Sequence, residues 1–348
     1  MKLSLIFCCY NVSKYLDSIY NLLKAQPYKD IEVIFVEDCS TDDTKEKLKS
    51  FLIDPRIQLI ENQVNLGASE SRNVGLRVAT GDYVGFPDSD DLFDIDWFVK
   101  VAEVIRMHKP TVIVCGMRED YEKSGVLEYS KNITSKYTGV ITNEYVDALI
   151  DLEDTLLFGY MNNKIYSMHF LKENAISCKK MALKEDFEFN ITVFNKISSF
   201  YILNEPLYFY KKRTGGNTLT SKYVNDYFEI HKNAVLLLKE LIESKVELSE
   251  ESKKLLVNRF FRYLLSAIER NTNSKSMMTI IEQVKWIKQI NVDPNCQWFF
   301  LNINYMSGKM KILKLLFKYQ YSYILVLIGH GLRFTKDKLP ILFAKIKS

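Results

Sequence analysis

Two carboxylates two residues apart, Asp88 and Asp90, follow the strand-like run Asp82-Tyr83-Val84-Gly85-Phe86, with Asp91 directly behind them. Acids this close repel one another unless a cation or solvent relieves them. In a loop, side chains at i and i+2 can both reach one hard cation, or a cation and a ribose. Mg²⁺ and Mn²⁺ take oxygen ligands and bind through one or two carboxylates, with substrate phosphates supplying more. The competing reading is a solvated acidic turn capping the next helix, and Asp91 reads that way, as a helix-capping or solvated acid. A second acidic pair, Glu185-Asp186, precedes Phe187 and Phe189. Apolar rings could partly desolvate such a carboxylate and raise its basicity, as a general base requires. The plainer reading is a pair of acids favoured by the dipole of a helix N-terminus.

Other chemistries find little support. The four histidines (His108, His169, His231, His330) have no ligand spacing, so a zinc site is not expected. No Gly-x-Ser-x-Gly elbow or Walker loop is present. With 47 basic and 43 acidic residues the net charge is +4, too balanced for a nucleic-acid binder. The six cysteines form no C-x-x-C pair or disulfide-like framework, which favours a reducing compartment.

Positioning these acids falls to an alternation of short apolar runs and helical patterns over residues 1–117. Runs at 3–8, 31–36, 57–60, 83–86 and 111–115 read as strands. Between them, Ser13 can cap a helix with Leu16, Ile19, Leu22 and Leu23 on one face. Ser40 and Asp43 have capping-box spacing for a helix over 42–52. Further helices are expected at 68–79, stopped by Gly81, and at 95–107. Such alternation predicts crossover units and a parallel sheet covered on both faces. Ligands then sit at strand carboxyl ends. Tyr10-Asn11, Glu37-Asp38 and Asp88-Ser89-Asp90 all fall at such ends, which points to one cleft. From 160 to 220 the pattern is α+β, with a helix near 186–194 and a strand near 200–203; helices at 235–238, 255–268 and 277–290 follow.

Several of these segments carry a family resemblance. They are Cys8-Cys9-Tyr10-Asn11, Val36-Glu37-Asp38-Cys39-Ser40-Thr41-Asp42, the run 65–75 containing Arg72 and Asn73, Gly81-Asp82-Tyr83, Phe86-Pro87-Asp88-Ser89-Asp90-Asp91, Lys184-Glu185-Asp186-Phe187-Glu188-Phe189, and Pro206-Leu207-Tyr208-Phe209-Tyr210-Lys211-Lys212-Arg213. In their order and spacing, over residues 3–220, the chain resembles family 2 nucleotide-sugar glycosyltransferases, inverting enzymes with the GT-A fold. The resemblance implies a Rossmann-like, mostly parallel central sheet flanked by helices. It implies that Tyr10 stacks on the nucleotide base and that Asp38 accepts a hydrogen bond from uracil N3–H. Arg72 would lie near the base or diphosphate, Asp88 by the ribose with Ser89 beside it, and Asp90 would ligate Mn²⁺ or Mg²⁺. Asp186 would be the base, with Glu185 orienting it or the acceptor. Arg213, beside Lys211 and Lys212 and ahead of Gly215-Gly216-Asn217, could clamp the diphosphate as a loop closes, or be a basic surface turn.

The chain departs from the family where Cys8-Cys9 replaces the usual Pro-x before the stacking Tyr, and where Glu37-Asp38-Cys39-Ser40 replaces Asp-Asp-Gly-Ser. Cys39 in place of Gly disfavours a positive φ there.

The expected organisation is a catalytic GT-A domain at 1–220 and a helical region at 221–348 that associates with membrane or dimerises. Beyond residue 305, Lys309, Lys311, Lys314, Lys318, Arg333, Lys336, Lys338, Lys345 and Lys347 alternate with large apolar residues, against one acid, Asp337. That pattern suits an interfacial helix on an anionic membrane, or a helix packed on its own domain with lysines snorkelling. The expected protein is cytoplasmic, peripheral at the inner face of the cell membrane. It would take a UDP-linked sugar as donor and a glycan or lipid-linked acceptor, in capsule, exopolysaccharide or lipopolysaccharide synthesis. Two alternatives are a non-catalytic binding or scaffold subunit and a sugar nucleotidyltransferase; the latter lacks its Gly-rich loop after the first strand.

Overall fold

Residues 3–85 build the left wing of one sheet. β1 (Leu3–Cys9), α1 (Ser13–Ala25), β2 (Ile31–Glu37), α2 (Thr44–Ser50), β3 (Ile57–Glu61), α3 (Ala68–Val78) and β4 (Tyr83–Gly85) follow in chain order. In β1, Leu3, Ser4, Leu5, Ile6 and Phe7 are all buried, the continuous burial of a strand covered on both faces. β1 pairs in parallel with both β2 and β4, and β2 with β3. The structure is a computed structural model that describes residues 1–123, 125–213, 223–307 and 311–338. The Gly215-Gly216-Asn217 turn and Lys309, Lys345 and Lys347 lie outside the described residues.

The chain divides into two compact units, residues 1–217 and 218–348. Completing the first are β5 (Leu92–Phe93), α4 (Trp97–His108), β6 (Val112–Lys123), β7 (Val126–Ile133), β8 (Gly139–Ile141), α5 (Tyr145–Asp154), β9 (Lys164–Ser167), α6 (Met168–Glu173), α7 (Glu185–Lys196) and β10 (Phe200–Arg213). The strand order is β3-β2-β1-β4-β9-β6-β10-β5, with β7 on β6 and β8 on β10. β6 and β10 run parallel, while β9 is antiparallel to both neighbours, β4 and β6. Strand order reverses beside β1, since the chain builds outward to β3 and then returns to place β4 on the other side. The crevice therefore opens at the carboxyl ends of β1, β2 and β4.

Local details differ from expectation. α2 starts at Thr44, and neither Ser40 nor Asp43 forms the capping box. Asp42 takes the cap instead, accepting from the Thr44 amide (3.1 Å) and from the Ser13 hydroxyl (2.7 Å). Ser13 is thus a helix residue and a donor, tying the loops after β1 and β2 together. β6 and β10 run well past their expected ends. Register shifts around Pro206 let β10 pass a residue that has no N–H to donate.

α3 presents Ser69, Ser71, Arg72 and Asn73 to the interior. It lies close against β1 because Gly75 has no side chain; a Cβ there would meet Ile6 Cγ2 at 2.4 Å. That approach carries Arg72 into the crevice.

The second unit is helical: α8 (Tyr227–Glu243), α9 (Glu250–Asn271), α10 (Ile280–Val292), α11 (Pro294–Leu301), α12 (Lys311–Lys318) and α13 (Ser322–Lys338). Its core is aromatic, with Phe260 stacked on Phe299 at 4.1 Å and Phe261 against Phe317 at 5.0 Å. α10 begins three residues later than expected. Met277 is left-handed (φ 55°), and Thr279 with Glu282 forms a capping box. Among the described residues no helix is long and apolar enough to cross a membrane.

Candidate active site

The first wall of the crevice is made by the loops after β1 and β2. Tyr10 stands at the end of β1, 48% exposed, its ring free to meet a flat ligand. Asn11 behind it adopts a left-handed conformation and accepts from the Thr41 amide at 2.8 Å. Cys39 is left-handed as well, φ 61°, contrary to the expectation from its side chain. Its neighbours impose the turn: the buried Glu37 carboxylate accepts the Ser40 amide at 2.6 Å, and the Asp38 amide is held by Cys9 O at 2.8 Å. Asp38 is buried. Its carboxylate accepts from Asn62 Nδ2 and from the backbone amides of Leu66 and Gly67, each at 2.8 Å. It therefore fixes the 62–67 loop that leads into α3, and a carboxylate retains acceptor capacity beyond those three bonds.

The centre is an ion-paired group drawn from three distant segments. Arg72, 7% exposed, donates to Asp186 Oδ1 at 2.8 Å and lies 3.5 Å from Asp88 Oδ1. Burial disfavours the Arg72 charge, but the surrounding carboxylates outweigh it and hold it protonated. Asn162 Nδ2 donates to Asp88 Oδ2 at 2.7 Å, and the Met161 amide to Asp186 Oδ2 at 3.3 Å. Burial, joined by the charges of Asp186 and Asp90, lifts the Asp88 carboxyl to about 6. Glu185 beside Asp186 is raised as well, by burial first and Asp186 second. Both acids head α7, as the helix-dipole reading has it. The rings of Phe187 and Phe189 turn into the core, against Phe158 and against Phe86 and Tyr166, so Arg72 and not an aromatic face is the immediate neighbour of Asp186.

Asp91 needs correction: it is neither solvated nor a helix cap. It is 3% exposed and accepts the Tyr208 hydroxyl at 2.9 Å and the Lys211 amide at 2.8 Å. Burial and the adjacent Asp88 and Asp90 hold its carboxyl well above the usual range. Tyr208 also accepts the Asp88 amide at 3.0 Å, and the Ser89 hydroxyl donates to Cys8 O at 2.7 Å. The acidic loop is therefore anchored to β10 on one side and β1 on the other. Tyr208→Phe removes two partners from buried groups and is expected to destabilise the protein by about 2 kcal/mol. Urea unfolding of both proteins checks this.

Asp90 points outward. Its carboxylate pairs with Arg213 at 2.7 Å, and its carbonyl also accepts from that guanidinium. Arg213 is braced by Glu122 (3.7 Å) and lies 4.2 Å from the centre of the Tyr15 ring. Among the described residues no three His, Cys, Asp or Glu side chains gather as a ready metal site. A hard cation held by one or two carboxylates, with its remaining oxygens from a diphosphate, fits the donor set of Asp90 and Asp88. Burial is the main cause of the raised Asp88 carboxyl, and a cation there would offset the smaller part that comes from the charges of Asp186 and Asp90.

Arg72 thus brings Asp88 and Asp186 together, while Asp38 holds the 62–67 loop and Asp90 turns away to Arg213. Sequence reasoning missed Asn162, Tyr208 and the burial of Asp91. Pro206-Leu207-Tyr208 carried a signal, but nothing in it names the partner 117 positions upstream.

An α/β unit with polar clusters at three strand ends, followed in sequence by a helical region, is the GT-A architecture. The fold is shared with the crystal structure of Staphylococcus aureus TarS 1–349 in complex with UDP-GlcNAc, with a TM-score of 0.66 over 97% of this chain and 92% of that one, at 22% identity. Residues 4–173 match the family model for glycosyl transferase family 2. In sequence the chain is 25% identical over 299 residues to the poly(ribitol-phosphate) beta-N-acetylglucosaminyltransferase TarS of S. aureus strain Mu50, covering 83% of this chain and 48% of TarS. It is 29% identical over 243 residues to the glycosyltransferase GlyA of Streptococcus pneumoniae serotype 4, covering 68% of this chain and 34% of GlyA. The chain thus spans half or less of these curated relatives. Residues 4–173 belong to glycosyltransferase family 2.

Proposed function

We propose that the protein transfers a sugar, with inversion, from a UDP-linked donor to a hydroxyl of a glycan or lipid-linked acceptor in bacterial surface-polysaccharide synthesis, working peripherally at the inner face of the membrane. The observation that carries this is Arg72, which joins Asp88 and Asp186, almost a hundred residues apart, in one crevice at the carboxyl ends of β1 and β4. The UDP-GlcNAc bound by the TarS structure makes that donor the first to test.

In this reading the exposed Tyr10 ring stacks on the base and Asp38 accepts from uracil N3–H while holding the 62–67 loop. Ser89 keeps the acidic loop against β1, and Asp88 meets the ribose. Asp90 is the protein's ligand for Mn²⁺ or Mg²⁺, which when bound would neutralise charge on the diphosphate. Arg213 leaves Asp90 to meet a phosphate. Asp186 is the general base. Arg72 holds Oδ1, so Oδ2, with only its long contact to the Met161 amide, receives the acceptor proton. The acceptor oxygen bonds the anomeric carbon as the bond to the diphosphate breaks, and UDP departs with that electron pair. Glu185 orients Asp186.

UDP with Mn²⁺ is expected to raise the melting temperature of the wild type by several degrees through mass action. EDTA should remove most of that gain, and Asp90→Asn should show almost none. Equal gains for both proteins would remove Asp90 from the metal site. UDP binding without turnover of any UDP-sugar would leave a non-catalytic binding subunit.

A further inference from the structure

The outward faces of α12 and α13 carry large apolar side chains that the second unit leaves uncovered. On α12 these are Ile312 (73% exposed) and Leu315, continued by Tyr319, at spacings of three and four residues. On α13 they are Tyr323, Leu327 (64%) and Phe334 (63%), again one helical stripe. The two helices pack on each other, which sets the two stripes on neighbouring elements. Their opposite sides are committed: Phe317, Leu325 and Val326 are buried, and Arg333 and Lys336 reach Glu269 on α9 at 3.3 and 3.2 Å. Exposed Lys318 and Lys338 stand at the ends of the two helices, and Lys314 on α12 is half-buried.

We propose that this face lies on an anionic lipid surface. The proposal deepens the peripheral attachment inferred above and is independent of the transfer chemistry. Exposed apolar area of this kind marks an interaction surface, and its charge selects the occupant. Among the described side chains of the two helices, Lys314, Lys318 and Lys338 supply the charge, Arg333 and Lys336 being taken up by Glu269; in sequence, residues 339–348 add Lys345 and Lys347 and no acid. A second copy docking by a two-fold axis would set Lys318 and Lys338 against the same basic patch, with like charges opposed. An anionic headgroup layer supplies the missing negative charge, while the rings and leucines enter the acyl boundary and lysines snorkel to the phosphates. With no membrane-crossing helix among the described residues, the mode is lying on the surface.

Flotation of the full chain with vesicles of pure phosphatidylcholine, and of phosphatidylcholine with phosphatidylglycerol, tests this. Binding is expected only to the anionic vesicles and should weaken with salt. Lys318→Gln with Lys338→Gln should lower vesicle affinity about twenty-five-fold, near fivefold per lysine. Leu327→Glu with Phe334→Glu should abolish binding. Both residues face outward, so melting temperature and UDP binding should stay within error, which separates failure here from failure of the donor-site reading. Equal binding to both vesicle types, none to either, or a dimer that Leu327→Glu converts to monomer would overturn the proposal.

Discussion

Asp186→Asn is expected to lower sugar transfer about a thousandfold, within the range general-base removal produces, while UDP affinity changes less than about threefold. The amide keeps the shape of the side chain and one oxygen for Arg72 but cannot take up the acceptor proton. Because the missing interaction forms only as the acceptor attacks, the loss should fall on kcat. Initial rates of UDP release from UDP-GlcNAc, with calorimetric UDP titration on the same preparations, check both halves. A variant with near wild-type kcat would place the base elsewhere. Glu185→Gln should show a smaller loss, since it acts through Asp186.

Arg72→Met should cost about 3–5 kcal/mol of stability, the range for removing one partner of a buried ion pair. The loss comes from Asp88 and Asp186, which keep their burial and lose their cation. Arg72→Lys should recover only part, because a single ammonium cannot reproduce the guanidinium fork that reaches both carboxylates. The deficit should depend on pH in a definite direction. The Asp88 carboxyl, already lifted to about 6 by burial, rises further once Arg72 is gone. An acid whose folded pKa lies above its unfolded value favours the fold while protonated and loses that contribution as pH rises through the folded value. The variant should therefore fall furthest behind the wild type at pH 8 and come closer at pH 5. Urea unfolding at the two pH values tests this; a deficit under about 1 kcal/mol at pH 8 would mean the carboxylates find other partners.

The alternation of short apolar runs and helical patterns in residues 1–117 was enough to place β1 to β4 and the helices between them. Each run is an autonomous local signal: β1 and β2 are apolar because both faces are covered. The strand-end positions of Tyr10, Asp38 and Asp88 followed from the same pattern. The α+β pattern over 160–220 likewise placed a helix near 186–194, and Glu185 and Asp186 sit in its first turn.

Contacts made across the sheet were decided elsewhere. β9 enters between β4 and β6 from eighty residues downstream, and a strand's direction leaves no trace in its own residues. Cys39 takes a left-handed turn because Glu37 and the Cys9 carbonyl hold the backbone around it, overriding the side chain's local preference. Asp91 sits in an acidic stretch that locally suits solvent, yet Tyr208 and Lys211 from β10 bury and satisfy it. Local sequence thus determined which elements form and which residues stand at their ends. Tertiary structure alone decided which acids lose their water and which cation each one meets, because burial and pairing depend on distances that close only when remote segments share one sheet.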